Sequence, residues 1–125
     1  MREYGAALRQ RTEAFYAGVD TDDSAAFPEH LHADAVFRFN STVPVPGMRE
    51  VQEAVDGWKA NFAKVTHEIT DLTIDQSLGQ VGVELVVTYS GHDGGQTIVK
   101  GASFLTFQGD LIKDWRVYVD TSGLG

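Results

Sequence analysis

From residue 66 onward the chain reads as strands broken by turn chemistry, and this limits its fold more than any other feature. The segments 66–76, 80–90, 96–108 and 111–119 are separated by Ser77-Leu78-Gly79, Gly91-His92-Asp93-Gly94-Gly95 and Gln108-Gly109-Asp110. Connections this short, built from residues that favour turns, predict a long antiparallel meander. Ahead of it the spacing is helical. Leu8, Thr12, Phe15 and Val19, with Tyr4 and Ala7, recur at three- and four-residue intervals and predict a helix over 2–19 that stops at Gly18 to Asp20. Asp22, Asp23 and Ser24 can cap a short second helix over 24–31, carrying Ala26, Phe27, His30 and Leu31.

Residues 35–40 switch to period two. Val36, Arg38 and Asn40 share one face, and Ala35, Phe37 and Phe39 share the other. Two prolines and a glycine make 41–47 a loop, and 48–65 returns to helical spacing with a stripe of Val51, Val55, Trp58 and Phe62. Helices before a long meander is the order of an α+β domain. The expectation is a single domain over 1–125, with a curved sheet wrapped around the helices and a pocket between the layers. On 80–90, Val83, Leu85, Val87 and Tyr89 alternate with Val86 and Thr88, so both faces can be buried. Helices cover only one face of such a sheet. A homodimer through the outer sheet face is therefore expected.

Composition narrows the function. The 125 residues include no cysteine, which excludes disulfides, thiolate metal sites and cysteine nucleophiles. The formal net charge is −8 and the ten Lys and Arg are scattered, which disfavours nucleic acid and acidic membrane surfaces as partners. No apolar stretch approaches the roughly 18 residues of a membrane span. The charged segment MREYGAALRQRTEAF has no apolar signal-peptide core, so a cytoplasmic location is expected.

The aspartates at 20–23 lack the glycine and closing glutamate of a calcium loop and read as helix capping. His30 and His32, with Glu29 and Asp34 nearby, would point apart on a helix and read as solvated surface, so no metal is expected. There is no phosphate-binding or dinucleotide glycine loop and no Gly-x-Ser-x-Gly elbow. A site that uses no cofactor and takes a small-molecule ligand or substrate is what remains.

The order of elements, the segment PVPGMREVQEAVDGW and the closing GDLIKDWRVYVD resemble the nuclear-transport-factor-2-like superfamily over essentially the full length. The nearest group is the SnoaL-like one, with polyketide cyclases, limonene-1,2-epoxide hydrolase and, more distantly, ketosteroid isomerase. The resemblance implies a cone-shaped α+β barrel, N-terminal helices packed on a strongly curved, mostly antiparallel sheet. It also implies that Asp120, ending WRVYVD, is the catalytic acid/base. FRFN resembles the strand on which the hydrolase holds its water, with Asn40 at the asparagine position and Arg38 where the tyrosine would be. The hydrolase's arginine and aspartate are missing from VVTYS. Phe15 takes the place of the isomerase's first-helix tyrosine, and Ser90-Gly91-His92-Asp93-Gly94 is similar to a Thr-His stretch of the cyclases.

The residues themselves support a reading. A carboxylate ending a strand beside an apolar pocket would be desolvated, with its pKa raised towards proton-transfer use; the alternative for Asp120 is a turn cap in Asp120-Thr121-Ser122-Gly123. Asn40 can fix a carbonyl or a water, and Arg38 can steady an enolate unless a nearby acid such as Asp34 takes it. His67, with an unperturbed pKa of about 6.5, is a second acid/base candidate. Tyr118 and Trp58 line the cavity or the core, and Lys100 is a pocket cation or an edge-strand charge. The expected function is cofactor-independent acid–base chemistry on a compact apolar carbonyl compound: isomerisation, cyclisation or dehydration. The alternatives are a dimeric ligand-binding or accessory protein, and a subunit of a larger assembly.

Overall fold

Helix α1 (Arg2–Asp20) forms where the apolar stripe demands it, and it buries that stripe. Leu8, Thr12, Phe15, Tyr16 and Val19 are all buried, and the Thr12 hydroxyl is satisfied by donating to the Leu8 carbonyl at 2.8 Å. The computed structural model describes residues 2–124. After α1 the chain reverses through Asp22, which adopts a left-handed φ of 57°, and Asp23, whose carboxylate accepts from the Ala25 N–H at 3.0 Å. The aspartate run thus builds the turn into α2 (Ala26–His30), with one exception described below.

Strand β1 (Leu31–Phe39) starts at Leu31, four residues ahead of the predicted boundary. The alternation fails there because the register with the last strand slips between Leu31 and Val36. A two-residue strand β2 (Val45–Pro46) lies inside the predicted loop and pairs with β1. Helix α3 (Met48–Lys59) ends earlier than its stripe suggested. Phe62 keeps its place in the apolar stripe through a turn, with its ring 5.4 Å from Trp58 and 4.8 Å from Tyr89. That turn releases Lys64 to pair with Ser90.

The meander follows as predicted, with β3 (Lys64–Asp75), β4 (Gln80–Ser90), β5 (Gln96–Gln108) and β6 (Leu111–Val119). The six-stranded sheet runs in the order β2-β1-β6-β5-β4-β3. Only β1 and β6 pair in parallel. Slips between Ile69 and Asp71 and between Thr106 and Phe107 bend long strands, as bulges do, and curl the sheet around the helices.

The core lies between the helices and the inner face. Val81, Val83, Leu85, Val87 and Tyr89 of β4 are buried there, with Trp115, Val117 and Val119 of β6. Complete burial of a side chain such as Phe15 contributes about 1.5–3 kcal/mol. The outer face is mixed. Ile98 and Tyr118 are exposed, Arg116 lies 5.2 Å over the Phe104 ring, and Lys100 pairs in register with Val86. No helix among the described residues is long and apolar enough to cross a membrane.

Candidate active site

A pocket of ≈ 180 Å³ opens where the end of α1, the α3 helix and the inner sheet face meet. Five aromatic side chains line it: Phe37 and Phe39 from β1, Trp58 from α3, Tyr89 from β4 and Trp115 from β6. Val19, Val55, Val65, Val117 and Val119 fill between them, and Thr42, Lys59 and His67 supply other polar groups.

His67 is held by Asp20, the last residue of α1. One Asp20 oxygen lies 2.6 Å from His67 Nδ1, and the other accepts from the His67 backbone N–H at 2.7 Å. The two side chains are only 14% and 16% exposed. An ionised carboxylate only accepts, so the ring nitrogen facing Asp20 is the donor, and the neutral form of this ring carries its lone pair on Nε2. Tyr16 packs beside this ring at a tilt of 49°, with centroids 5.0 Å apart. Its hydroxyl donates to Ser103 Oγ at 2.6 Å and accepts from Trp115 Nε1 at 3.1 Å. Burial pushes the Tyr16 phenol up to about 12, so it stays neutral.

Lys59 closes the site on the α3 side. Its ammonium donates to the Val19 carbonyl and to the Asp22 carboxylate. Tyr89 faces the pocket one strand away from His67. His67 pairs with Val87 and Val65 pairs with Tyr89, so the two are diagonal neighbours on one face, with Cα atoms about 7–8 Å apart. Burial pushes the Tyr89 phenol above its ordinary 10.0, partly offset by hydrogen bonding with the Trp58 side chain.

Of the residues singled out by sequence, His67 and Trp58 line this pocket. Asp120 does not. It is exposed, its carboxylate accepts from the Ser122 N–H at 3.0 Å, and the hydrogen bonds of Ser122 hold its pKa below the usual carboxylate value. The expected desolvation and upward shift are absent, because Trp115, Val117 and Val119 are the members of β6 that face the pocket.

Parity decides β1 in the same way. Phe37 and Phe39 face inward, so Arg38 points outward and pairs with Asp114, to which Arg116 Nε also lies at 3.2 Å. Asn40 takes a left-handed φ of 51°. Its Oδ1 accepts from the Val119 N–H at 3.0 Å and its own N–H donates to the Val117 carbonyl at 2.8 Å. It ties β1 to β6 rather than reaching the pocket. Tyr118 packs on Phe104 outside the sheet, centroids 6.2 Å apart, and Lys100 is exposed on that side. His92 lies in the exposed β4–β5 turn, 3.3 Å from the Ala60 carbonyl. Phe15 is core, 4.9 Å from Trp115. No cluster of His, Asp and Glu suited to a metal occurs among the described residues.

Asp20, Lys59 and Tyr89 were missed. Asp20 carried a signal. An acid at a helix C-terminus opposes the macrodipole, and α1 has no basic residue in its last turn. Such an acid needs cationic or hydrogen-bonding partners from elsewhere.

A model described as the SnoaL-like domain matches residues 12–115, so the chain belongs to the SnoaL-like family. TerC, solved in co-crystals with polyporic acid, superposes with a TM-score of 0.84 at 12% identity over 94% of this chain and 95% of that one. A proposed SnoaL-like polyketide cyclase from Jannaschia sp. CCS1 gives 0.84 at 12% identity, over 95% of this chain and 89% of that one. A nuclear-transport-factor-2-like protein of unknown function from Burkholderia pseudomallei K96243 gives 0.84 at 12%, over 94% of both. At these identities the likeness shows the fold. No curated protein matches the chain in sequence.

Proposed function

We propose that the protein is a cofactor-independent enzyme that moves protons on a compact, mostly apolar carbonyl compound, with His67 as base and Asp20 as the carboxylate that orients it. The observation carrying this reading is the two-point grip of Asp20 on His67 at the wall of an apolar pocket. With its Nδ1–H donating to the Asp20 carboxylate, the ring offers Nε2 to a proton next to the substrate carbonyl. The proton moves to Nε2, the carbon–hydrogen pair moves into an enolate, and Asp20 stabilises the imidazolium. The Tyr89 hydroxyl, on the wall of the same pocket and kept neutral by burial, is the proposed donor to the enolate oxygen. Return of the proton to another carbon is isomerisation. Attack of the carbanion on a second carbonyl is cyclisation, and expulsion of a β-hydroxyl is dehydration. Apolar walls strengthen each of these electrostatic contacts. A homodimer through the outer sheet face belongs to the same proposal, supported by exposed Ile98 and Tyr118 there, and sedimentation would test it.

The test is deuterium exchange at the α-carbon of small cyclic ketones in heavy water, followed by proton NMR. Wild-type protein is expected to accelerate exchange, His67→Gln to lose about 100-fold of that rate, and Asp120→Asn to retain it. Full activity in His67→Gln would remove the histidine from the mechanism. Saturable binding with no exchange across the ketones would favour a ligand-binding protein instead.

A further inference from the structure

We infer that the pocket takes a single uncharged ring bearing a carbonyl or phenolic oxygen and excludes fused polycyclic scaffolds. The oxygen in this statement rests on the acid–base reading above; size and charge rest on the cavity itself. A dry apolar cavity of about 150 Å³ holds benzene. At ≈ 180 Å³ this one has room for one six-membered ring with a small substituent. Its walls suit a flat guest, because Phe39, Trp58, Tyr89 and Trp115 present ring faces and edges.

A larger apolar scaffold would have to continue across charged groups. The groove next to the pocket shares Lys59 and Val65 with it; Ala60, Phe62 and Ala63 line part of it, and Asp20, Asp22, Asp56 and Lys64 line the rest. A second and third fused ring lying there would strip water from charged groups with no hydrogen bond in return.

Charge argues in the same direction. Lys59 is the one Lys or Arg on the pocket wall, and its ammonium already serves the Val19 carbonyl and the Asp22 carboxylate. His67 donates its Nδ1–H to the Asp20 carboxylate. No unpaired cation among the described wall residues awaits a carboxylate, and the aspartates of the neighbouring groove repel one. The polar needs of the guest are those of a neutral oxygen beside an acidic C–H, met by Tyr89 and His67.

The molecule carries its own reporter. Both of its tryptophans, Trp58 and Trp115, line the pocket, so tryptophan fluorescence reads occupancy directly. Wild-type protein would be titrated with cyclohex-2-enone, 1-tetralone, anthrone and cyclohexanecarboxylate. The expected result is a saturable response to cyclohexenone and at least tenfold weaker binding of anthrone and of the carboxylate. Ala54 of α3 also lines the pocket, and filling the cavity with Ala54→Phe, or less severely with Ala54→Leu, should remove or weaken the response while thermal unfolding shows a folded chain. Equal or tighter binding of anthrone or of cyclohexanecarboxylate overturns the inference. So does failure of cyclohexenone to bind, or a response that survives both Ala54 variants. The two readings fail separately. Binding graded by ring number without α-proton exchange defeats the acid–base mechanism alone, whereas exchange of 1-tetralone, a fused ketone with an α-methylene, as fast as of cyclohexenone defeats the size limit alone.

Discussion

Asp20 and His67 are 47 residues apart in the chain, yet one carboxylate holds both the imidazole and the backbone of that histidine, at 2.6 Å and 2.7 Å. The contact couples the C-terminal end of α1 to the start of β3, the outermost strand on that side of the sheet. It also fixes which ring nitrogen is free. A histidine anchored at one point could swing about its χ angles; anchored through its own backbone N–H as well, it presents Nε2 in one direction.

Asp20→Asn is therefore expected to separate binding from chemistry. The amide keeps the shape but can offer Nδ1 an N–H instead of an acceptor, which favours the wrong tautomer and removes the charge that stabilises the imidazolium. Exchange of ketone α-protons should slow by about 100-fold or more, while cyclohexenone still perturbs tryptophan fluorescence with little change in affinity. An unchanged exchange rate would show that the contact is structural only.

The fold was legible because periodicity changes along the chain are unambiguous: four residues for α1, two from β3 onward. The site was not, for a geometric reason visible at β1 and β6. On both strands the polar members, Arg38 with Asn40 and Tyr118 with Asp120, share one parity, and a search for chemistry naturally turns the pocket towards them. The cavity lies between sheet and helices, and helices pack on the apolar parity, so Phe37, Phe39, Val117 and Val119 line it instead. His67 was singled out by its unperturbed pKa of about 6.5 alone, and the fold puts it on the inward parity of β3 with Val65 and Ile69. Its partner was not, since nothing local in a run of aspartates says which one meets a strand 47 residues later.

Asn40 earns its place through backbone geometry, and its variants should rank accordingly. Asn40→Gly keeps a residue at ease with a φ of 51° and loses the bond from the Val119 N–H. Asn40→Ala loses that bond and adds the left-handed penalty of roughly 1–2 kcal/mol. Urea unfolding should find Ala less stable than Gly by about that amount. The reverse order would mean that the conformation is not retained in solution.

Lys59 joins the last turn of α3 to the end of α1, with its side chain 14% exposed while that of Asp22 is 80% exposed. The buried end of this link is the Val19 carbonyl at the helix C-terminus, which otherwise accepts only a long bond of 3.3 Å from the Asp22 N–H. Lys59→Met should cost about 1–2 kcal/mol by removing the charged donor and leaving that carbonyl with the long bond alone. Asp22→Asn should cost less than about 1 kcal/mol, because an exposed ion pair is screened by water. Chemical denaturation of the two variants tests the ranking, and equal losses would place the stabilisation in the ion pair.

His30 gives the protein an acid-sensitive spot outside the pocket. It ends α2, is 8% exposed, packs edge-on to Phe15 at 6.0 Å, and has no hydrogen-bond partner for Nδ1. Burial depresses its pKa below the ordinary 6.5, with Arg11 adding to the effect and Glu29 and Asp23 opposing it. In the folded chain the ring is neutral where an unfolded one takes up a proton. Its contribution to stability is therefore complete above the unfolded value of 6.5 and is lost as pH falls from there towards the folded value. Urea midpoints measured from about pH 7.5 to about pH 5 should fall more steeply for wild type than for His30→Leu, which has no proton to gain there. Parallel curves would mean that the ring is hydrated and titrates alike in both states.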